Sequence, residues 1–568
     1  MKKSILILSL ALMAISAFAQ HDEQVTVEGK YRPKVNKVNK LQLKPEIPQP
    51  SYAFPSTEVN PKEAKQKFAL DLEKIAPTAF AAKDDKLVSP TQNFLMAGIG
   101  TRLSPLFFYK HNSMLTKTLG LNVGVKHNSS WLNIKDYAPS SYMNNAFDVG
   151  LSYEDMGQYR LETGAFFNND MYHYYGVNLV DIPLNEAQIE AFCPRQVYNT
   201  IGAFVNLSAK GYPLGVPVGP GSIKYHYTYD RFGCSDGLVE FDYSYVYYVN
   251  WFGKKQYPQR LKVDVDLDFN HYKCNDSLIN RGFGRVNPSF EMSGDFYRIQ
   301  LGASVDGYAA QNDRKVAVRP DVSGSLFVLD KKLEFYAGLN GGLRMLTYSD
   351  FIAENPFVWQ LQDFRVKNVK LGFEGGVRTN IAEIVDLHLG VRYRNTDNDP
   401  LFKTDDYNID YSHAVIPFNK FTVVYDEIQT VSVLADMRVK LRNSLTADLG
   451  FAYNNNTPTF EEYAWYRPEM EGKLKLTYDF NEKLAFNTTF LYQGGRYAQV
   501  PEFGNQGLTY STQKLKDVFD LSLGADYKVN DQITAFALLD NVANQKYKLF
   551  YDYPVTGIQF YAGVKLRF

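Results

Sequence analysis

The chain has 568 residues and carries 61 Lys and Arg against 62 Asp and Glu, a formal net charge of -1 at pH 7. With this balance the chain has no excess of basic residues, so nucleic acid is excluded as a partner. Aromatic residues make up 15% of the chain, with 41 Tyr and 39 Phe but 4 Trp, as expected of a protein whose rings form girdles at membrane interfaces.

Residues 1–19 predict a cleavable signal peptide. Lys2 and Lys3 provide a positive start, residues 5–15 an apolar run, and Ala17-Phe18-Ala19 a small-x-small cleavage site. No Cys follows this site, which argues against a lipid anchor. Because no later stretch approaches the roughly 18 to 20 apolar residues of a membrane helix, the exported protein is expected to be either soluble or a β-barrel.

Residues 20–93 differ from the rest of the chain. A basic stretch at 30–37 is followed by recurrent prolines, which predict an extended and irregular segment: Pro45, Pro48, Pro50, Pro55 and Pro61. Residues 62–75 fit one amphipathic helix. About seventy residues with one weak helix are too few for a well-packed separate domain.

From residue 94 the pattern becomes strand after strand, and residues 94–568 are predicted to form the barrel. In the run 261–270, apolar residues at odd positions alternate with polar residues at even positions. Asp264, Asp266 and Asp268 share the polar face, which predicts an acidic row that faces the lumen. This row would be a cation path or a ligand rim, or else a solvated inner wall balanced by Arg260 and Lys262, and we favour the solvated wall.

The number of strands separates a membrane barrel from a soluble sandwich, which shows the same alternation. We count about twenty-one strands, and short connections alternate with longer ones as periplasmic turns and extracellular loops do. If the C-terminus and the short turns are periplasmic, a barrel with an odd number of strands would begin outside the cell. One more strand is therefore needed, either because two strands were counted as one or because the N-terminal segment supplies it. The predicted fold is therefore all-β: a closed antiparallel transmembrane β-barrel of about 22 strands in the outer membrane, after a short irregular N-terminal segment.

Four stretches near the C-terminus stand out: Trp465-Tyr466-Arg467-Pro468-Glu469, the Asp-Asn-x-x-Asn-x-x-Tyr pattern from Asp540 to Tyr547, Tyr553-Pro554, and the closing strand 561–568. Together they resemble the end of a TonB-dependent outer-membrane receptor barrel. The resemblance implies transport of a solute across the outer membrane, in contact with outer-membrane lipids. It also implies that Phe568, with Leu566 and Val564 on its face, is the signal read by the barrel-assembly machinery.

The resemblance is incomplete near the N-terminus. Val25-Thr26-Val27-Glu28-Gly29 resembles the segment that pairs with TonB by β-strand addition, although an incidental strand is the alternative. The family's plug domain, well over a hundred residues long, does not fit into residues 20–93. The alternative function is therefore a plugless scaffold in an outer-membrane complex, its lumen occupied by its own N-terminal segment or by a partner lipoprotein, because an open pore of this size would leak.

Catalytic motifs are missing, so we predict no enzyme, no cofactor and no metal site. The eight histidines are scattered, and neither a phosphate loop nor a Gly-x-Ser-x-Gly elbow occurs. A barrel-embedded hydrolase stays as the alternative, because Ser and His need not be adjacent in sequence. The three cysteines, Cys193, Cys234 and Cys274, fit either one disulfide or three free thiols.

Two further clusters have simple interpretations. Tyr172, Tyr174 and Tyr175 around His173 predict an aromatic girdle, with a sugar-stacking platform as the alternative. The acidic residues between 397 and 410 predict a solvated surface loop rather than a calcium site, because they lack the glycine and distal glutamate of an EF-hand.

Overall fold

The computed structural model describes residues 93–568 except 255, 312, 362, 406–417, 442–443 and 505–506. Twenty-two strands of this part form one antiparallel sheet, and two short hairpins lie in loops. The strands are β1 (Asn93–Gly100), β2 (Ser104–Met114), β3 (Leu119–Ser130), β4 (Tyr142–Met156), β5 (Tyr159–His173), β6 (Arg195–Ala209), β7 (Gly221–Asp230), β8 (Cys234–Val249), β9 (Gln259–Cys274), β10 (Ser277–Ser293), β11 (Tyr297–Ala310), β12 (Arg314–Val328), β13 (Leu333–Arg344), β14 (Lys367–Ile381), β15 (Val385–Thr404), β16 (Phe421–Leu441), β17 (Leu445–Pro458), β18 (Met470–Asp479), β19 (Leu484–Gly494), β20 (Tyr497–Gly504), β21 (Gly507–Lys514), β22 (Val518–Lys528), β23 (Ile533–Asp540), β24 (Lys548–Phe550), β25 (Tyr553–Pro554) and β26 (Gln559–Arg567).

The sheet closes on itself between its first and last strands. β1 pairs with β26 from Phe94 opposite Arg567 to Gly100 opposite Tyr561. The amide of Asn93 donates to the carbonyl of Phe568 at 2.8 Å. Closure pairs the backbone N–H and C=O groups at both edges of the sheet, as a β-sheet within lipid requires. The predicted closed barrel of 22 strands is confirmed, and the strand that our count missed lies within 93–568.

The period of two in the sequence becomes two faces of the wall. Between β9 and β10, Val265 lies opposite Val286 and Asp266 lies opposite Arg285. Phe269, three residues further on, is 58% exposed on the outer face. Apolar side chains therefore point to lipid and polar side chains to the lumen, because successive side chains of a strand point to opposite faces.

The two ends of the barrel differ in their connections. The turns at 157–158, 382–384, 480–483 and 529–532 are short and lie at the end of the barrel that holds Asn93 and Phe568. The long connections 174–194, 345–366, 459–469, 495–517 and 541–558 lie at the opposite end. Short turns are periplasmic in barrels of this kind, so the long connections are extracellular loops.

Helices are few in the described ranges. α1 (Glu186–Phe192) and α2 (Tyr348–Glu354) each have seven residues and lie in extracellular loops. No helix among the described residues is long and apolar enough to span a membrane. Helices α1 and α2 both begin with a capping box, in which a polar side chain accepts a hydrogen bond from a free N–H group of the first turn.

Candidate functional site

The extracellular loops share one hydrophobic core, which we call the cap. It unites side chains from five loops and from the strand ends beneath them: Tyr174, Tyr198, Tyr272, Leu346, Tyr348, Phe351, Phe357, Val358, Leu361, Phe364, Leu401, Phe402, Phe421, Trp465, Tyr466, Ala498, Leu515, Tyr547, Leu549, Phe550, Tyr553 and Val555. These loops arise from strands all around the barrel, so they meet across its extracellular end. The loops therefore form a packed structure of their own.

Phe357 lies at the centre of the cap. Its ring stacks on Tyr553 with 3.8 Å between centroids, and Tyr174 and Tyr175 meet it edge-on at 6.4 and 5.8 Å. Tyr174 is fully buried, and burial raises the pKa of its hydroxyl well above the usual value. The interpretation of these tyrosines as a girdle is wrong, because they pack inside the cap and do not face lipid.

Buried carboxylates at the strand ends fasten the loops to the wall. Asp230, at the end of β7, accepts hydrogen bonds from the Tyr348 hydroxyl at 2.9 Å and from the Cys234 amide at 2.8 Å. Asp236 on β8 accepts from the amide and the hydroxyl of Ser349 at 3.0 and 2.8 Å. Helix α2 is thereby tied to β7 and β8, and it brings Tyr348 into the cap.

Two more carboxylates act on the opposite side. Asp426 on β16 accepts from the amides of Thr459 and Glu461 at 3.2 and 2.7 Å. Asp399 on β15 accepts from Lys367 and Arg467, both at 2.7 Å. Asp399 was predicted to belong to a solvated acidic loop, which is wrong for this residue, because it is 4% exposed and its charge is balanced by two cations.

The Asp-Asn-x-x-Asn-x-x-Tyr stretch builds the base of the last loop. The Asn541 side chain donates to the carbonyls of Gln545 at 2.8 Å and of Thr556 at 3.1 Å. Asn541 has a φ of 47°, a left-handed conformation that asparagine tolerates better than most residues. Tyr547 ends the pattern, and its hydroxyl donates to Asp520 on β22 at 2.7 Å. The pattern therefore holds the loop between β23 and β26 closed against the wall.

Below the cap lies a cavity of about 1230 Å³ inside the barrel. Its roof includes residues 345–347, Ser349, Asp350 and Tyr466 of the loops. Its basic lining consists of Lys126, Lys224, Arg285, Arg344, Lys367, Arg392, Arg394, Arg467 and Lys473, and its acidic lining of Glu240, Asp242, Asp266, Asp268, Asp350, Glu354, Asp399, Glu471, Asp520 and Asp540. A compartment of this kind suits a polar or charged solute and excludes a purely apolar one.

The predicted acidic row occupies two environments. Asp266 and Asp268 line the cavity, whereas Asp264 pairs with Lys262 at 2.7 Å along the same strand. Asp266 lies opposite Asp242, and Asp268 lies opposite Glu240, so the neighbouring strand adds two carboxylates. Alternation along one strand cannot show this second pair, because strand partners are separated in sequence.

Sequence reasoning missed the acidic side chains on the wall formed by β18, β22 and β23. Glu471, Asp520 and Asp540 line the cavity there, and Glu471 and Asp540 are 6% and 3% exposed. A signal existed for one of them, because Asp540 opens the Asp-Asn pattern. Glu471 and Asp520 are isolated acidic residues in alternating strands, and nothing in the sequence around them predicts that they are buried.

The cysteines divide into a pair and a single thiol. Cys234 opens β8 and Cys274 ends β9, and the two are cross-strand partners joined by a disulfide. Cys193 is buried as a free thiol, and burial raises its pKa to about 12. Of the two alternatives left open by the sequence, the structure contains the one with a single disulfide.

The remaining predicted residues lie at the chain ends. Val564, Leu566 and Phe568 belong to the apolar face of the closing strand, and Phe568 is 57% exposed. The candidate TonB-pairing segment from Val25 to Gly29 lies outside the described residues. Within the described ranges, no group of three or more His, Cys, Asp or Glu side chains could hold a metal ion.

Comparison with known proteins gives matches for the structure but not for the sequence. No family model and no curated protein matches the chain. The Ferric-Catecholate import receptor Fiu from K12 E. coli aligns over 84% of this chain and 82% of its own, with a TM-score of 0.62 and 8% identity. The fold is that of an outer-membrane receptor barrel.

Two further receptor barrels agree with this assignment. The pyoverdine outer membrane receptor FpvA from Pseudomonas aeruginosa PAO1 aligns over 84% of this chain and 78% of its own, with a TM-score of 0.62 and 12% identity. The FrpB iron transporter from Neisseria meningitidis aligns over 84% and 81%, with a TM-score of 0.64 and 10% identity. The predicted resemblance is thus confirmed for the barrel fold, and the expected outer-membrane location agrees with it.

Proposed function

We propose that this receptor barrel takes part in moving a polar solute across the outer membrane, with the cap as its gate and the cavity as the compartment that the solute occupies. The observation that carries the proposal is the charged cavity of about 1230 Å³ directly beneath the packed loops. A pocket of several hundred Å³ or more is of the size that small-molecule sites have. The similar structures are named as an import receptor, a pyoverdine outer membrane receptor and an iron transporter, which supports import rather than catalysis.

The proposal extends to the partners expected from the sequence. Residues 1–19 would direct export, and the barrel-assembly machinery would read Phe568 together with Leu566 and Val564. The segment Val25 to Gly29 would pair with TonB and couple opening of the cap to the energised inner membrane. Outer-membrane lipids would surround the apolar outer face.

A second candidate function is the scaffold, and the cap is the observation that favours it. The cap buries more than twenty side chains, several of them large aromatic rings. Complete exposure would cost roughly 1.5–3 kcal/mol for each large apolar side chain, so full opening is rare without an energy source. A barrel whose loops never part would hold partners in place and admit no solute.

Access to the cavity from outside distinguishes the two functions. Thr489 lines the cavity, and Val180 is 70% exposed in the loop between β5 and β6. We would place a cysteine at each position separately, Thr489→Cys and Val180→Cys, and treat intact cells with a maleimide too large to pass general porins. Wild type gives the background, because Cys193 is buried and the other two cysteines form a disulfide.

The expected result depends on energy. Val180→Cys should react fast under all conditions, whereas Thr489→Cys should react slowly and should react faster in energised cells than after a protonophore. Equal rates at Thr489→Cys with and without the protonophore would contradict gated transport and favour the scaffold.

A further inference from the structure

We propose that the wall of the cavity formed by β18, β19, β22 and β23 binds an organic polycation, a flexible alkyl chain with several ammonium groups. The inference rests on the proposed function, because it assigns a chemical class to the solute of the same cavity. Its basis is a set of three carboxylates that face the cavity on this wall without cationic partners: Glu471, Asp520 and Asp540.

Glu471 is the least satisfied of the three. It lies on β18 opposite Gln493 of β19, and both side chains are buried while lining the cavity. Glu471 is 6% exposed. Burial is the one influence that acts on its carboxylate, with neither a hydrogen bond nor a charged partner among the described residues. A buried carboxylate without a partner costs several kcal/mol in general, so its position calls for a partner that comes from the cavity.

Asp520 and Asp540 each keep one free oxygen. Tyr547 donates to Oδ2 of Asp520 at 2.7 Å, and Ser522 donates to Oδ1 of Asp540 at 2.5 Å. The other oxygens, Oδ1 of Asp520 and Oδ2 of Asp540, are buried and have no hydrogen-bond partner. The backbone amide of Asn541 lies beside both carboxylates, so the two groups stand close together.

Nearby lysines do not neutralise the wall. Asp526, lower on β22, has Lys565 at 2.6 Å, which shows how a lumenal carboxylate on this wall is normally satisfied. Arg467 is committed to Asp399 at 2.7 Å. Lys473 is the one lysine that lines the cavity from these four strands, and it stands against three carboxylates. Among the charged side chains that line the cavity from these four strands, carboxylates therefore outnumber ammonium groups by three to one.

The arrangement fits a chain of ammonium groups better than a metal ion. No three acidic or imidazole side chains in the described ranges converge closely enough to hold a metal. Apolar side chains separate the carboxylates along the wall: Leu491, Val518 and Leu549. Alkyl segments between charged nitrogens would cover these side chains, while each ammonium group would meet a carboxylate in a charge-assisted hydrogen bond.

The test measures binding of spermidine to the full-length protein in detergent by titration calorimetry. Glucose and citrate serve as neutral and anionic probes, and Ca²⁺ as the metal probe. Wild type should bind spermidine and neither glucose nor citrate. Glu471→Gln should weaken binding by about tenfold, the effect of losing one charge-assisted hydrogen bond, and adding Asp540→Asn should weaken it further.

Matched variants keep the test informative. Glu471 has no hydrogen bond or ion pair to lose and glutamine has the same shape, so Glu471→Gln should retain the heat-dependent gel shift of a folded barrel even if Asp540→Asn does not. Asp268→Asn removes a carboxylate of the same cavity on β9 and should leave spermidine binding within about twofold. An equal loss in Asp268→Asn, binding that Glu471→Gln does not weaken, or Ca²⁺ binding that Glu471→Gln removes would each overturn the proposal.

The two proposals fail separately. Spermidine binding without energy-dependent labelling at Thr489→Cys would support the polycation site and contradict gated transport. Energy-dependent labelling with no spermidine binding would support transport and reject this class of solute.

Discussion

The barrel wall and the cap are stabilised in different ways. Backbone hydrogen bonds between neighbouring strands hold the wall, and a side chain matters there mainly through the face on which it lies. Individual contacts hold the cap, such as the stack of Phe357 on Tyr553 and the amides that Asp426 binds. The wall should therefore tolerate substitutions that preserve its two faces, whereas the cap should loosen when one central residue is changed.

The largest effect is expected at the centre of the cap. Phe357→Ala should destabilise the cap by about 3–5 kcal/mol, because Phe357 is 1% exposed and truncation leaves a cavity among aromatic rings. Fluorescence of Trp359 and Trp465 during mild denaturation would report the loss. Phe460→Ala is the matched control, since Phe460 is a loop aromatic that is 82% exposed. Loss of the heat-dependent gel shift of the barrel in Phe357→Ala would show that the cap and the wall are not separate.

A substitution on the lipid face should weaken the wall itself. Val265 lies midway along the apolar face of β9, so Val265→Arg should destabilise the barrel by about 2–4 kcal/mol, the cost of Arg near the bilayer midplane. The folded fraction in vesicles at increasing urea would measure it. Asp264→Asn, on the lumenal face of the same strand, should cost under about 1 kcal/mol, because it removes one partly exposed ion pair. Equal losses in the two variants would contradict the assignment of faces.

The carboxylate anchors should contribute less than the aromatic centre. Asp426→Ala leaves the amides of Thr459, Phe460 and Glu461 without their acceptor, and we expect a loss of about 1–3 kcal/mol in the cap. Hydrogen exchange at these three amides should accelerate. Asp426→Asn retains one acceptor oxygen and should protect them partly, and unchanged exchange in Asp426→Ala would rule out the anchoring role.

The smallest effect concerns the free thiol beneath the loops. Burial raises the pKa of Cys193 to about 12, so raising the pH from neutral to about 9 should barely increase its reaction with maleimide. After denaturation in SDS without reductant, one thiol per chain should react, and with reductant three. Fast reaction of the native protein would contradict the burial of Cys193, and Phe357→Ala should accelerate it if the cap loosens as a unit.

The fold followed from the sequence more completely than the site did. Alternation is a local property, so the sequence of residues 261–270 predicted which side chains face lipid and that Asp266 and Asp268 point into the lumen. The count fell short by one strand, and the missing strand lies within 93–568 rather than in the N-terminal segment. Tyr174 and Tyr175 were assigned to a lipid girdle, because a girdle and a packed loop core draw on the same residue types.

By itself, the sequence determined that the chain forms a β-sheet with one apolar and one polar face, long enough to close into a barrel in a bilayer. That information repeats every second residue and needs no knowledge of distant partners. Only the tertiary structure decided that five loops pack into one cap, that Asp399 is matched by Lys367 and Arg467, and that Glu471 faces the cavity with no partner. Burial and charge pairing depend on residues brought together by closure of the barrel, and closure joins positions that are far apart in the chain.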